Sequence, residues 1–94
     1  MPLFVISFLD KPDSHALRAA NRDAHLAYMA ASGRVRLGGP YLDDQDRPIG
    51  SLIIVEAEDE AAVRAFMADE PYNRAGVMDG FDVRLWRYTA GQLP

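Results

Sequence analysis

The sequence predicts a small α+β fold with elements in the order β-α-β-β-α-β. Three observations carry this. Leu3 to Leu9 and Ile49 to Ala57 are short, almost unbroken runs of branched and aromatic residues, the composition of buried strands. Ser14 to Ser32 and Glu60 to about Ala68 are rich in Ala, Leu, Arg and Met and follow those runs. The polar cluster Asp43-Asp44-Gln45-Asp46-Arg47-Pro48 joins two strand-like segments by a tight connection.

Taken in order, the first strand, Leu3 to Leu9, ends at the turn cluster Asp10-Lys11-Pro12-Asp13. The first helix then starts near Ser14, with Asp13 or Ser14 as cap, and stops at Gly33, which tolerates the left-handed conformation of a helix end. Within it, Leu17, Ala20, Ala24, Tyr28 and Ala31 share one stripe, the expected core face, while Arg18, Arg22, His25 and Met29 share another. Val35 to Leu42 is the second strand. Its Gly38-Gly39-Pro40 interruption is explained by a bulge, by close approach of a helix or by a ligand, with the bulge as the favoured reading.

The third strand, Ile49 to Ala57, pairs antiparallel with the second through the short turn. The second helix carries Ala62, Val63, Phe66 and Met67 as its apolar stripe. Asp69-Glu70-Pro71-Tyr72 breaks it, because proline cannot continue the hydrogen-bond ladder. A turn runs to Gly76, Asp79 to Tyr88 forms the last strand, and Thr89 to Pro94 is expected to be a loose tail.

This order is that of a ferredoxin-like sandwich, a four-stranded antiparallel sheet with two helices on one face. Strands one and three are apolar on both faces, yet helices on one side cover only one of them. A second copy of the chain on the bare face, as a homodimer, is the simplest solution.

Ninety-four residues suit a single domain spanning 1–94, at 49% hydrophobic and 26% charged. A net charge of −4 disfavours nucleic acid and anionic membrane surfaces as partners. The absence of cysteine removes disulfides, thiolate metal sites and a cysteine nucleophile. The first apolar run is too short to span a bilayer and lacks the flanks of a signal peptide, so a cytoplasmic location is expected.

Few residues suggest chemistry. His25 has the side chain whose ordinary pKa lies nearest neutrality, suited to acid/base work beside a carboxylate; a border histidine with a local hydrogen bond is the plainer alternative. Asp69 and Glu70 crowd a helix C-terminus, which the helix dipole disfavours, although a solvated acidic stop explains them equally. With two histidines in all, a multi-histidine metal site cannot be built, and Asp43 to Asp46 lacks the glycine and glutamate of a calcium loop. No phosphate-binding glycine motif is present.

Arg22-Asp23-Ala24-His25-Leu26, Gly38-Gly39-Pro40, Ile49-Gly50-Ser51 and Asp69-Glu70-Pro71-Tyr72-Asn73-Arg74-Ala75-Gly76-Val77, in this order and at these spacings, resemble the YciI-like (YCII-related domain) family. The resemblance implies a ferredoxin-like fold pairing into a dimeric α/β barrel. It also implies a site that joins a helix-one histidine to an aspartate preceding Pro-Phe/Tyr. Carried over, the histidine is His25 and the aromatic residue Tyr72, while the aspartate position holds Glu70, a departure that leaves Glu70 or the adjacent Asp69 as the carboxylate.

On this resemblance the expected activity is acid/base catalysis on a small lactone- or phenol-like molecule, of the isomerase or dehydrochlorinase type, with no metal or organic cofactor. His25 and Glu70 or Asp69 would be catalytic, and Arg22, Tyr72, Gly39, Pro40 and Ser51 would contact substrate between helix one and the sheet. A non-catalytic homodimeric module that binds a small molecule in the same cleft is the alternative.

Overall fold

The computed structural model describes residues 1–93, and its elements run β1 (Leu3–Leu9), α1 (His15–Ser32), β2 (Val35–Leu42), β3 (Pro48–Glu56), α2 (Glu60–Ala68), α3 (Pro71–Arg74) and β4 (Asp82–Trp86). The four strands form one antiparallel sheet in the order β2-β3-β1-β4, with the helices on one face, the ferredoxin-like arrangement. No described helix is long and apolar enough to cross a membrane. Of the expected loose tail, Pro94 lies outside the described residues.

β1 alternates as a strand between two environments. Phe4, Ile6 and Phe8 are buried beneath the helices, while Leu3, Val5 and Ser7 on the opposite face are half-buried. Opposite them on β3, Val55, Ile53 and Ser51 join the covered face through register pairs such as Ile6 with Ile53. Val63, Phe66 and Met67 of α2 close the core together with Tyr72, Val77 and Met78. Burying each such large apolar side chain contributes about 1.5–3 kcal/mol, which drives collapse onto this face.

Gly50 is set by close approach. A Cβ there would lie 2.3 Å from the Phe8 carbonyl oxygen, so only glycine lets β1 and β3 meet at that point. At Gly33, φ of +68° ends α1 in the left-handed conformation, as its sequence position suggested.

The structure corrects four expectations. α1 does not bury its Ala/Leu stripe: Leu17 is 41% exposed, and the inward residues are Arg18, His25 and Met29. The reason is that each inward polar group brings a partner, Asp10 for Arg18 and Glu70 for His25, so the polar edge of the helix turns toward the sheet. Gly38-Gly39-Pro40 is no bulge. These residues pair in register with Ile53, Leu52 and Ser51, and the register shifts fall on either side, at Val35/Leu37 and Tyr41/Leu42.

Residues 71–76 are not merely a turn, because Pro71–Arg74 forms the short helix α3. β4 is shorter than expected, since the left-handed Gly80, at φ +68°, delays its entry until Asp82.

Candidate active site

The local sequence around Pro71 builds the carboxylate. A residue before proline is driven out of helical conformation, and Glu70 is extended, with φ −68° and ψ 130°. Pro71 then occupies the first helical position, where a missing N–H costs nothing. The Glu70 side chain folds back as the cap of α3, its Oε2 accepting from the Asn73 backbone N–H at 3.2 Å. Its other oxygen, Oε1, meets Nδ1 of His25, and Glu70 is fully buried. The capping bond therefore fixes the carboxylate that meets the imidazole.

An ionised carboxylate only accepts hydrogen bonds. With Glu70 ionised, Nδ1 of His25 carries the proton and Nε2 is left as a base. Among the described residues Nε2 makes no hydrogen bond and no sealed side-chain polar atom lacks a partner, so Nε2 remains open. The Tyr72 ring stacks on the imidazole, with centroids 4.0 Å apart and planes inclined by 12°, which holds the histidine flat. Burial pushes the Tyr72 hydroxyl above its ordinary pKa, with Arg18 opposing the rise, so it stays protonated at neutral pH.

His25 and Tyr72 line a cavity of about 580 Å³ between α1 and the sheet, a volume suited to a small organic molecule. Its walls mix charge with apolar surface. Arg18 and Arg22 stand on the helix side, Leu26, Met29 and Ile53 supply the apolar contact, and Gly38, Gly39 and Pro40 of β2 close the far side. A Cβ on Gly38 would meet the Ile53 side chain at an ordinary 3.8 Å, and one on Gly39 would meet nothing within 4 Å. Packing does not demand glycine at either position; what glycine does here is keep that wall low.

The structure thus brings His25, Tyr72, Arg22, Gly39, Pro40 and Ser51 to one cavity, with Glu70 behind His25 rather than in the lining. It does not bring Asp69 there. Asp69 is the exposed C-terminal cap of α2 and has no hydrogen bond to His25, so among the described residues the carboxylate that meets the imidazole is that of Glu70.

Arg18 and Asp10 were not singled out from sequence. Arg18 is buried; its Nε donates to Asp10 at 2.7 Å, and its Nη2 reaches the Gly50 carbonyl at 2.8 Å and the Ser51 hydroxyl at 2.9 Å. Its guanidinium also lies over the Tyr72 ring, 4.6 Å from the centroid. The available signal was its place seven residues before His25 on one helical stripe, while Asp10 looked like an ordinary turn residue.

Residues 2–87 match the YCII-related domain family. Protein YciI of Escherichia coli O6:H1 is 35% identical over 94 residues, covering 90% of this chain and 96% of its own, and Protein YciI of Shigella flexneri matches to the same extent. Among solved structures, 5-chloro-2-hydroxyhydroquinone dehydrochlorinase (TftG) from Burkholderia phenoliruptrix AC1100, in complex with 2,5-dihydroxybenzoquinone, superposes with a TM-score of 0.84. It is 33% identical, and the match covers 93% of this chain and 95% of that one. An antibiotic biosynthesis monooxygenase, at 17% identity and a TM-score of 0.59 over 96% of this chain and 100% of its own, shares the fold alone.

Proposed function

The chain belongs to the YCII-related domain family, and from that premise we propose that it is an acid/base enzyme acting on a small cyclic organic molecule through His25 and Glu70. The observation that carries this reading is the buried contact between His25 Nδ1 and Glu70, which leaves Nε2 open in a residue lining the cavity. Nε2 takes a proton from a substrate C–H or O–H, and Glu70 orients the ring and stabilises the imidazolium that forms. Return of the proton to another carbon gives an isomerase; departure of a leaving group such as chloride gives a lyase. The isomerase route needs proton transfer alone, and the lyase route adds heterolysis of the bond to the leaving group, which departs with its electron pair; neither requires a metal or organic cofactor to balance.

The dehydrochlorinase relative, whose structure holds a dihydroxybenzoquinone, supports a hydroxylated ring as the substrate class. The test is turnover of 5-chloro-2-hydroxyhydroquinone and a panel of enolisable lactones by the wild-type chain and His25→Gln. General acid/base catalysis of this kind predicts a loss of about 10²–10⁴-fold in the variant. A variant as fast as wild type, or a wild type inert across the panel, refutes the assignment.

The active unit is a homodimer in this proposal. The sheet face opposite the helices presents Leu3, Val5, Leu52 and Leu37, and a second copy laid there removes an apolar surface from water. A monomeric mass by light scattering at micromolar concentration refutes it.

A further inference from the structure

The cavity that His25 lines is larger and more one-sided than a single ring requires. A benzene-sized ligand fits a cavity of about 150 Å³, whereas this one holds about 580 Å³. It is also long. Its lining follows α1 from His15 to Met29, a rise of about 21 Å. On the sheet side it follows the chain from Arg47 to Ile53, about 20 Å of extended backbone. One hydroxylated ring beside His25 leaves most of that length empty.

The two ends differ in chemistry. On α1 the lining residues before His25 include Arg18 and Arg22, and those after it are Leu26 and Met29. The sheet divides in the same way, with Arg47 and Ser51 at one end and Ile53 and Val35 at the other. The divisions of helix and sheet coincide in space. Arg18 Nη2 donates to Ser51 Oγ at 2.9 Å, which ties the polar half of the helix to the polar half of β3. At the opposite end α1 stops at Ser32 and β2 begins at Val35, so Val35 follows directly on the last turn of the helix. It packs against the core cluster that contains Met29 and Ile53. His25 stands at the border between the halves.

Leu26 adds an independent observation. It is 46% exposed although it lines the cavity, while Met29 and Ile53 beside it are buried. Exposed apolar surface inside a concave site is surface that a ligand removes from water. The apolar stretch continues for about one helical turn past His25, roughly 5 Å, the reach of a short hydrocarbon chain.

We propose that the substrate is an amphipathic ring: an oxygenated ring with its reacting atom at His25 Nε2 and an apolar side chain of a few carbons lying along Leu26, Met29, Val35 and Ile53. This rests on the acid/base reading and narrows its substrate class. The side chain is remote from the reacting atom, so its burial supplies binding energy that is the same before and during reaction. Seated at the apolar end, it also fixes which ring position meets Nε2.

The experiment titrates the full chain with 4-ethylresorcinol and 4-butylresorcinol by calorimetry. Each buried methylene tightens binding about fourfold, so the butyl compound should bind about 15-fold more tightly than the ethyl one. Leu26→Gln, at an exposed position outside the core cluster, should cut that ratio to about fourfold or less. A ratio near one in the wild-type chain overturns the proposal. So does a ratio that stays about 15-fold in Leu26→Gln, because the side chain then lies elsewhere.

His25→Gln separates this proposal from the reading beneath it. The variant should lose turnover and keep the ratio, and loss of the ratio there overturns the apolar subsite. A wild-type chain inert toward every reaction substrate that still shows the ratio keeps the subsite and loses the acid/base reading. Turnover without the ratio does the reverse.

Discussion

Glu70→Gln probes the centre of the site with the smallest possible change in shape. Glutamate offers two acceptor oxygens, and both are used, one by His25 Nδ1 and one by the Asn73 N–H at 3.2 Å. Glutamine offers one. If the amide oxygen stays on Asn73 and caps α3, the amide N–H₂ faces Nδ1, which must then become an acceptor. The ring proton moves to Nε2, and the base disappears. Exchanging a buried charge-assisted hydrogen bond for a neutral one costs about 1–2 kcal/mol. For a chain of this size that lowers Tm by roughly 5–15 °C, at roughly 4–8 °C per kcal/mol. Thermal unfolding by circular dichroism measures the first effect, and imidazole ¹⁵N shifts report the tautomer. A Glu70→Gln chain that melts within about 2 °C of wild type with Nδ1 still protonated would refute the account of both residues.

Three further outcomes follow from particular contacts. Gly50→Ala places a Cβ 2.3 Å from the Phe8 carbonyl and forces β1 from β3, at a cost of about 3 kcal/mol in urea unfolding. Gly38→Val adds a side chain facing the cavity at ordinary contact distance from Ile53, so stability should change by less than about 1 kcal/mol. The same substitution should weaken binding of a ring ligand by about tenfold or more, measured by calorimetry. Tyr28 and Tyr72 both have hydroxyl pKa values raised chiefly by burial. A raised folded-state pKa gives stability that is complete below the ordinary tyrosine pKa of about 10 and is lost as pH climbs through the folded value. Ultraviolet titration should therefore show Tyr28 and Tyr72 ionising late, together with alkaline unfolding that Tyr28→Phe and Tyr72→Phe each lessen.

Strand and helix positions were legible because they depend on local chemistry. The branched runs, the glycine after Ser32, the proline after Glu70 and the aspartate-rich hairpin act within a few residues of themselves. The same locality made the pre-proline acidic pair visible. It did not choose between the two acids, since Asp69 and Glu70 differ in role only through the short helix that Glu70 caps, and that helix forms against α1.

The orientation of α1 was decided by tertiary structure. By hydrophobicity its Ala/Leu stripe outranks the stripe bearing Arg18 and His25, and the sequence by itself puts the wrong face inward. The reversal depends on partners at a distance. Asp10 lies eight residues from Arg18, Ser51 thirty-three from it, and Glu70 forty-five from His25. Burying a polar group is unfavourable until its partner is also in place, and only the assembled fold supplies all of them at once. Sequence alone determined the positions of the four strands and the two longer helices; the fold decided the short helix α3 and which face of α1 meets the sheet, and so placed a histidine, an arginine and a tyrosine around one cavity.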